Sequence, residues 1–196
     1  MAISNARAAP DLKDDIKAAL IANLVDPTDA DNAATAIALA LTTAGFSYDA
    51  ANADMVASIS GKDTDADPFL DVFSVLLCIS NNGFPVPSLG LKVWCATYTN
   101  DDSIDGFDLD VNKPISGLTD ISSGAVTPGV AQVFPLTMDE RGHWEVMVKY
   151  NNGTQLAAEL EVSWNVLPEA PIGAIAIIGS SIAVVSLYGL KKKQNI

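Results

Sequence analysis

The order of hydrophobic and polar residues divides the chain into a helical first part, a strand-rich middle and an apolar end. In residues 11–24, DLKDDIKAALIANL, an apolar residue recurs at every fourth position and forms one stripe along an α-helix. Asp11 is placed as its N-cap, and the acidic residues that follow suit the positive end of the helix dipole. A second helix is predicted from near Asp29 to Gly45, with a strand at ATAIALALTT as its rival, and a weaker third helical segment covers YDAANADMVASIS.

From Phe69 onward the pattern alternates with a period of two, which is typical of strands that are half-buried in a sheet. One face of the segment HWEVMVKY carries Trp144, Val146, Val148 and Tyr150. One face of the later segment AELEVSWNV carries Ala158, Leu160, Val162, Trp164 and Val166. The intervening NNGT contains the Asn-Gly pair of a tight turn, so the two segments predict a β-hairpin. Upstream, FLDVFSVLLCIS, LGLKVWCATYT and VAQVFPLT predict further strands, and short strands at this spacing indicate an antiparallel β-sandwich.

The apolar end predicts a transmembrane helix. Residues 172–190 contain no ionisable side chain except the phenol of Tyr188, and a helix of roughly 19 residues is about 28 Å long, close to the thickness of a bilayer core. A buried helix of a soluble domain is the rival interpretation, but such a helix usually has a polar stripe. Three cationic residues come directly after the span: Lys191, Lys192 and Lys193. Under the positive-inside rule they place the C-terminus in the cytoplasm and residues 1–171 outside.

The N-terminus lacks the apolar core that an export signal for such a protein needs. Ala6-Arg7-Ala8 has the small-x-small form of a cleavage region, which favours a processed or truncated signal. A tail-anchored protein, or an assembly protein whose last helix is the insertion signal, are the alternatives.

Charge restricts the partners. The formal net charge is −13, and setting aside the three tail lysines leaves −16 for the part placed outside. Such a field repels nucleic acid, so no nucleic-acid partner is expected, and it favours solubility and divalent cations.

Residues 69–166 resemble the immunoglobulin-like domains of prokaryotic surface proteins. The run VLLCISNNGFPVPSLGLKVWC has the strand, Asn-Gly-x-Pro-Val, strand order of those domains, matched by Asn82, Gly83, Pro85 and Val86. Gly142, Trp144 and Val146 match the Gly-x-aromatic-x-Val strand of their closing half. The resemblance implies an immunoglobulin-like sandwich that serves as a spacer or adhesive module, without catalytic residues.

The segment before the apolar span is similar to C-terminal sorting signals of the PEF/PEP type, through Pro168, Glu169 and Pro171. Sortase signals of the LPxTG kind share the architecture, but Ala170-Pro171 stands where they have Thr-Gly. The resemblance therefore implies an anchor embedded in the lipid.

Two acidic loops are candidate calcium sites. Positions 1, 3, 5 and 9 of a calcium-type loop are occupied by Asp63, Asp65, Asp67 and Asp71. In the second loop, positions 1, 3 and 5 are occupied by Asp101, Ser103 and Asp105. Alternate residues of a tight loop can supply the converging oxygen ligands that Ca²⁺ needs. Neither loop has the Glu that an EF-hand carries at position 12, so solvated acidic loops are the alternative, and no other cofactor is expected.

Other candidate chemistry is sparse. Cys78 and Cys95 lie in neighbouring predicted strands, and an oxidising compartment would favour a disulfide, whereas packing as free thiols is the alternative. Asn152 begins the sequon Asn-Gly-Thr, a candidate glycosylation site. His143 is the only histidine and falls on the polar face of its strand, so we expect no enzyme activity.

These patterns predict a mainly β protein with a helical N-terminal region in residues 1–62, an immunoglobulin-like antiparallel β-sandwich in residues 63–167 and a C-terminal anchor in residues 168–196. The expected function is that of a single-span surface protein with a structural or adhesive role, bound to the bilayer through residues 172–190 and to protein partners or copies of itself. A virion or filament subunit with the same anchor, and an accessory subunit of a membrane enzyme, are the alternatives.

Overall fold

The computed structural model describes residues 11–81 and 90–166, which form two α-helices and eight β-strands in three layers. The helices are α1 (Leu12–Ala22) and α2 (Pro27–Thr43). The strands are β1 (Asp54–Lys62), β2 (Val72–Ser80), β3 (Lys92–Thr99), β4 (Gly106–Lys113), β5 (Gly117–Ala125), β6 (Gln132–Thr137), β7 (Gly142–Asn152) and β8 (Gln155–Val166).

Both helices begin at an aspartate cap. The Asp11 carboxylate accepts a hydrogen bond from the Asp14 backbone N–H, so the predicted N-cap of α1 is confirmed. In α2 the cap is Asp26, which accepts from the N–H groups of Thr28 and Asp29, so this helix starts before the predicted position. The rival prediction of a strand at ATAIALALTT is wrong, because these residues lie inside α2.

The predicted third helical segment is also wrong, because its second half forms β1. This strand pairs antiparallel with β2, with Asp54 opposite Ser80 and Lys62 opposite Val72. Gly61 permits this pairing, since a Cβ there would lie 2.5 Å from the Val72 carbonyl oxygen. The strand depends on a partner far away in sequence, and that contact overrides the local pattern.

The strands form two four-stranded antiparallel sheets, which confirms the predicted β-sandwich. The first sheet has the order β1-β2-β3-β6 and the second has the order β5-β4-β7-β8. The predicted hairpin is β7–β8, with Gly153 at φ 59° in its turn. Its predicted inward faces lie in the core between the sheets, fully or partly buried.

A second core lies between the helices and the outer face of the first sheet. It joins Ile16, Leu20 and Ile37 of the helices to Val75 and Leu77 of β2. β2 is therefore covered on both faces, which explains why its sequence, VFSVLLCIS, is apolar almost throughout instead of alternating.

Within residues 11–81 and 90–166, neither helix combines the length and apolarity that crossing a bilayer requires. The predicted anchor, residues 168–196, lies outside the described residues.

Candidate functional site

The strand registers give the sandwich two distinct ends. Loop 63–71, loop 100–105 and the β7–β8 turn all connect strands at one end, which we call the acidic end. We call the exit end the opposite one, where β8 finishes at Val166 beside Gly142, the first residue of β7. The β4–β5 turn, residues 114–116, belongs to the exit end, because Lys113 pairs with Gly117 there.

Loop 63–71 brings three of its four predicted ligands together. Carboxylate oxygens of Asp63, Asp65 and Asp71 lie within 4.8 Å of one another. Asp67 is not in this group, and its carboxylate accepts a hydrogen bond from the Phe69 N–H at 2.7 Å.

The loop already supplies donors to these carboxylates. Asp63 accepts from the N–H groups of Asp65 and Ala66, and Asp71 accepts from the backbone and hydroxyl of Thr64. The Thr64 hydrogen bonds hold the pKa of Asp71 below its ordinary value. These bonds shape the loop, and the calcium site stays a prediction.

In loop 100–105 all three predicted ligands take part in hydrogen bonds within the protein, and this calcium site also stays a prediction. Asp101 accepts from the backbone and hydroxyl of Ser103, and the hydroxyl bond in particular lowers its pKa. The Asp105 carboxylate instead accepts from the Gly153 N–H, at 3.0 and 3.1 Å, and so fixes the β7–β8 turn.

The two acidic loops are nevertheless neighbours. The Asn100 side chain donates to the Asp71 carbonyl oxygen at 2.6 Å and accepts from the Phe73 N–H at 2.7 Å. Lys62 Nζ lies 3.8 Å from an Asp101 carboxylate oxygen. A cavity of about 210 Å³ opens between these residues and Ala157. The acidic end is thus a continuous surface built from segments that are distant in sequence.

A third acidic group, which is not among the predicted sites, lies on the outer face of the second sheet. Asp108 and Asp110 alternate along β4, and a bulge at Leu109/Asp110 sets Asp110 opposite Asp120 of β5. Their carboxylate oxygens lie within 4.8 Å of one another, and Lys149 Nζ is 3.4 Å from Asp110. Burial and the two neighbouring carboxylates raise the pKa of Asp108.

Cys78 and Cys95 are bonded to each other in the structure. They are opposite residues of β2 and β3, with Cα atoms 4.0 Å apart, and both side chains are fully buried between the sheets. The bridge therefore links neighbouring strands of one sheet. The conserved disulfide of antibody domains, in contrast, joins the two sheets.

His143 and Asn152 are both accessible. His143 Nε2 lies 3.2 Å from a Glu145 carboxylate oxygen on the polar outer face of β7, and its side chain is half exposed. Asn152 is exposed beside the β7–β8 turn at the acidic end.

The exit end carries exposed apolar residues, Ile115 on the β4–β5 turn and Leu118 near the start of β5. Ile115 is 81 % exposed and Leu118 is 61 % exposed. The Glu140 carboxylate accepts from the N–H groups of Ile115 and Ser116 and from the Ser116 hydroxyl.

An apolar groove of about 490 Å³ runs between α2 and the start of β6. Its lining includes Ala36, Leu39, Ala40, Val130 and Val133. These side chains offer hydrophobic contact and no acid–base or nucleophilic group.

The residues of the predicted sorting segment and tail, Pro168, Glu169, Pro171, Lys191, Lys192 and Lys193, lie outside the described residues. Four residues of the immunoglobulin-like motif also lie outside the described residues: Asn82, Gly83, Pro85 and Val86. Both family resemblances therefore stay predictions. Comparison of the chain with protein-family models, with curated proteins and with solved structures finds no match.

Proposed function

We propose that the protein is a membrane-anchored surface module with a structural or adhesive role, which presents its acidic end away from the bilayer. The observation that carries this proposal is the position of the two ends. Val166, from which the chain continues to the predicted span at residues 172–190, is at the exit end, and both acidic loops are at the other. The 12 residues of β8 separate the ends by about 35 Å.

The charge of the acidic end indicates the chemistry of a partner. Seven aspartates lie in its two loops: Asp63, Asp65, Asp67, Asp71, Asp101, Asp102 and Asp105. A surface of this kind attracts cationic protein surfaces and divalent cations and is repelled by anionic headgroups. An orientation with this end away from the membrane removes that repulsion. The immunoglobulin-like resemblance and the non-catalytic role belong to this proposal.

Membrane fractionation tests the anchor. We expect the full chain to sediment with membranes after high-salt and carbonate washes, and a chain that stops at Val166 to remain in the supernatant. Replacing Lys191, Lys192 and Lys193 by glutamine is the matched control. It leaves the apolar span intact and should preserve sedimentation while weakening the preference for one orientation. Full chain in the aqueous fraction without detergent would overturn the proposal.

One observation favours the alternative of an assembling subunit. β5 is an edge strand in which no residue is buried, so both of its faces and one row of backbone groups are open to another chain. Light scattering of detergent-solubilised protein separates the two functions. Defined assemblies that dissociate on Ile121→Lys, but not on Leu156→Lys at the acidic end, would favour a virion or filament subunit. A monomer at all concentrations would exclude assembly through this edge.

A further inference from the structure

We infer that the β4–β5 turn is a second membrane contact, with the Ile115 side chain seated among the lipids next to the anchor. The inference rests on the proposed membrane anchor and adds a contact that the anchor does not require. Its occupant is the interfacial region of the bilayer into which residues 172–190 are predicted to insert.

The strand registers bring Ile115 level with the last residue of β8. Asn112 pairs with Glu145, so continuing β4 by three residues reaches Ile115 as β7 reaches Gly142, the partner of Val166. Close packing supports this alignment, since a Cβ on Gly142 would lie 2.8 Å from the Pro114 Cβ.

The length of chain after Val166 limits how far this end can lie from the bilayer. Ile172, the first residue of the predicted span, is six residues beyond Val166. Six residues reach no more than about 20 Å when fully extended. The exit end is therefore held close to the headgroups, whatever path those residues take.

The turn is rigid enough to present a side chain. Glu140 binds it through Ile115 and Ser116, and the Glu140 carbonyl oxygen accepts from the Trp144 indole N–H at 2.9 Å. Lys113, the last residue of β4 before the turn, bonds both Asp139 carboxylate oxygens, at 2.9 and 3.0 Å. Ile115 is 81 % exposed on this fixed turn, so transferring its aliphatic side chain from water into lipid is favourable in free energy.

The charges of this end suit a headgroup layer better than those of the acidic end. Lys92 and Arg141 are exposed here, whereas Asp139 and Glu140 are bound by Lys113 and by the turn. Asp54, at the start of β1, is an exposed carboxylate at this end, against seven aspartates in the loops of the acidic end. Cationic side chains around an apolar residue are the usual composition of a membrane-contacting surface.

Tryptophan quenching in vesicles tests the contact. The full chain carrying Ile115→Trp is reconstituted into phosphatidylcholine vesicles with acyl chains that are either normal or brominated. The matched control is Leu156→Trp, since Leu156 is 57 % exposed beside the β7–β8 turn at the acidic end. The emission that each variant adds is obtained by subtracting the spectrum of the unchanged chain.

We expect brominated lipid to remove roughly half of the emission that Ile115→Trp adds, because interfacial side chains lie 5–10 Å into the headgroup boundary. Leu156→Trp should lose none. Vesicle-bound protein with equal quenching at both positions, or none at either, would overturn the inference and leave the anchor standing. Failure of the unchanged chain to bind vesicles would overturn the anchor, and this inference with it. A concentration-dependent blue shift of the position-115 emission without quenching would show that a second copy covers the turn, which also overturns it.

Discussion

The hydroxyl of Tyr150, in the second sheet, donates a hydrogen bond to the backbone carbonyl oxygen of Val75, in the first sheet, at 3.1 Å. The Tyr98 carbonyl oxygen lies at the same distance from that hydroxyl, so one buried phenol serves two strands of the opposite sheet. Most contacts between the sheets are apolar and therefore non-directional. This polar contact gives the sandwich a defined alignment of β7 across β2 and β3.

Replacing Tyr150 by phenylalanine should lower the free energy of unfolding by about 1 kcal/mol, because it removes a buried hydrogen bond between the two sheets. Urea unfolding followed by tryptophan fluorescence measures the change. Tyr48→Phe is the control, since the Tyr48 hydroxyl bonds Asp15 at a half-exposed position where water can replace it. Equal losses in both variants would contradict a special role for the contact between the sheets.

The same phenol predicts sensitivity to alkali. Burial raises the pKa of Tyr150 far above its ordinary value of 10.0. Above pH 10 the unfolded chain therefore loses this proton while the folded chain keeps it, and stability falls as pH rises. Where the unfolded chain has fully lost this proton and the folded chain has kept it, one such group lowers the free energy of unfolding by about 1.4 kcal/mol per pH unit.

Above pH 10 the free energy of unfolding of Tyr150→Phe should fall less steeply with pH than that of the unchanged chain, by up to about 1.4 kcal/mol per pH unit. Part of the slope should remain, because burial also raises the pKa of Tyr98. Unfolding free energies measured from pH 8 to 11 check this, and parallel curves for the two proteins would refute it.

The sequence predicted those parts of the fold whose signal is local. α1 follows from its repeat of Leu12, Ile16 and Leu20, and the β7–β8 hairpin follows from strict alternation around an Asn-Gly turn. β1 was missed because small residues interrupt its apolar ones, none of its residues is fully buried, and its strand form depends on pairing with β2. The covering of β2 by helices could not be predicted either, since one apolar run fits several partners.

The disulfide illustrates the same limit at a site. The sequence predicted that Cys78 and Cys95 lie in neighbouring strands. It could not predict that they lie opposite each other, because that depends on the β2–β3 register. Replacing both by alanine should cost about 3 kcal/mol, the value for a closed loop of this length, which spans 17 positions.

Thermal or urea unfolding of the double alanine variant gives the cost. Mass spectrometry of alkylated protein, with and without reductant, gives the bonding state. Because both side chains are fully buried, the native protein should resist reductant until it unfolds. Rapid alkylation of unreduced native protein would contradict the bridge.

The acidic group on the second sheet was half predictable. Asp108 and Asp110 alternate along a strand and so share a face, which the sequence DLD indicates directly. The position of Asp120 depends on the bulge in the β4–β5 pairing, and one residue of slippage would have placed it elsewhere.

Crowding of these carboxylates predicts that Asp108→Asn stabilises the protein at neutral pH. Burial first, and then Asp110 and Asp120, raise the Asp108 pKa, so the folded state holds this proton more tightly than the unfolded state. Stability is therefore lost as pH rises from the ordinary value of 3.8 through the folded pKa. The asparagine variant escapes this loss and should gain about 0.5 kcal/mol at pH 7, the scale for like charges on adjacent strands. The gain should vanish near pH 3, where the carboxylate is protonated, and should shrink in high salt.

Glu161→Gln, on the same outer face but opposite Met147, is the control and should change little. Urea unfolding at pH 3 and pH 7 measures both variants, and a gain that persists unchanged at pH 3 would show that packing, not charge, is responsible.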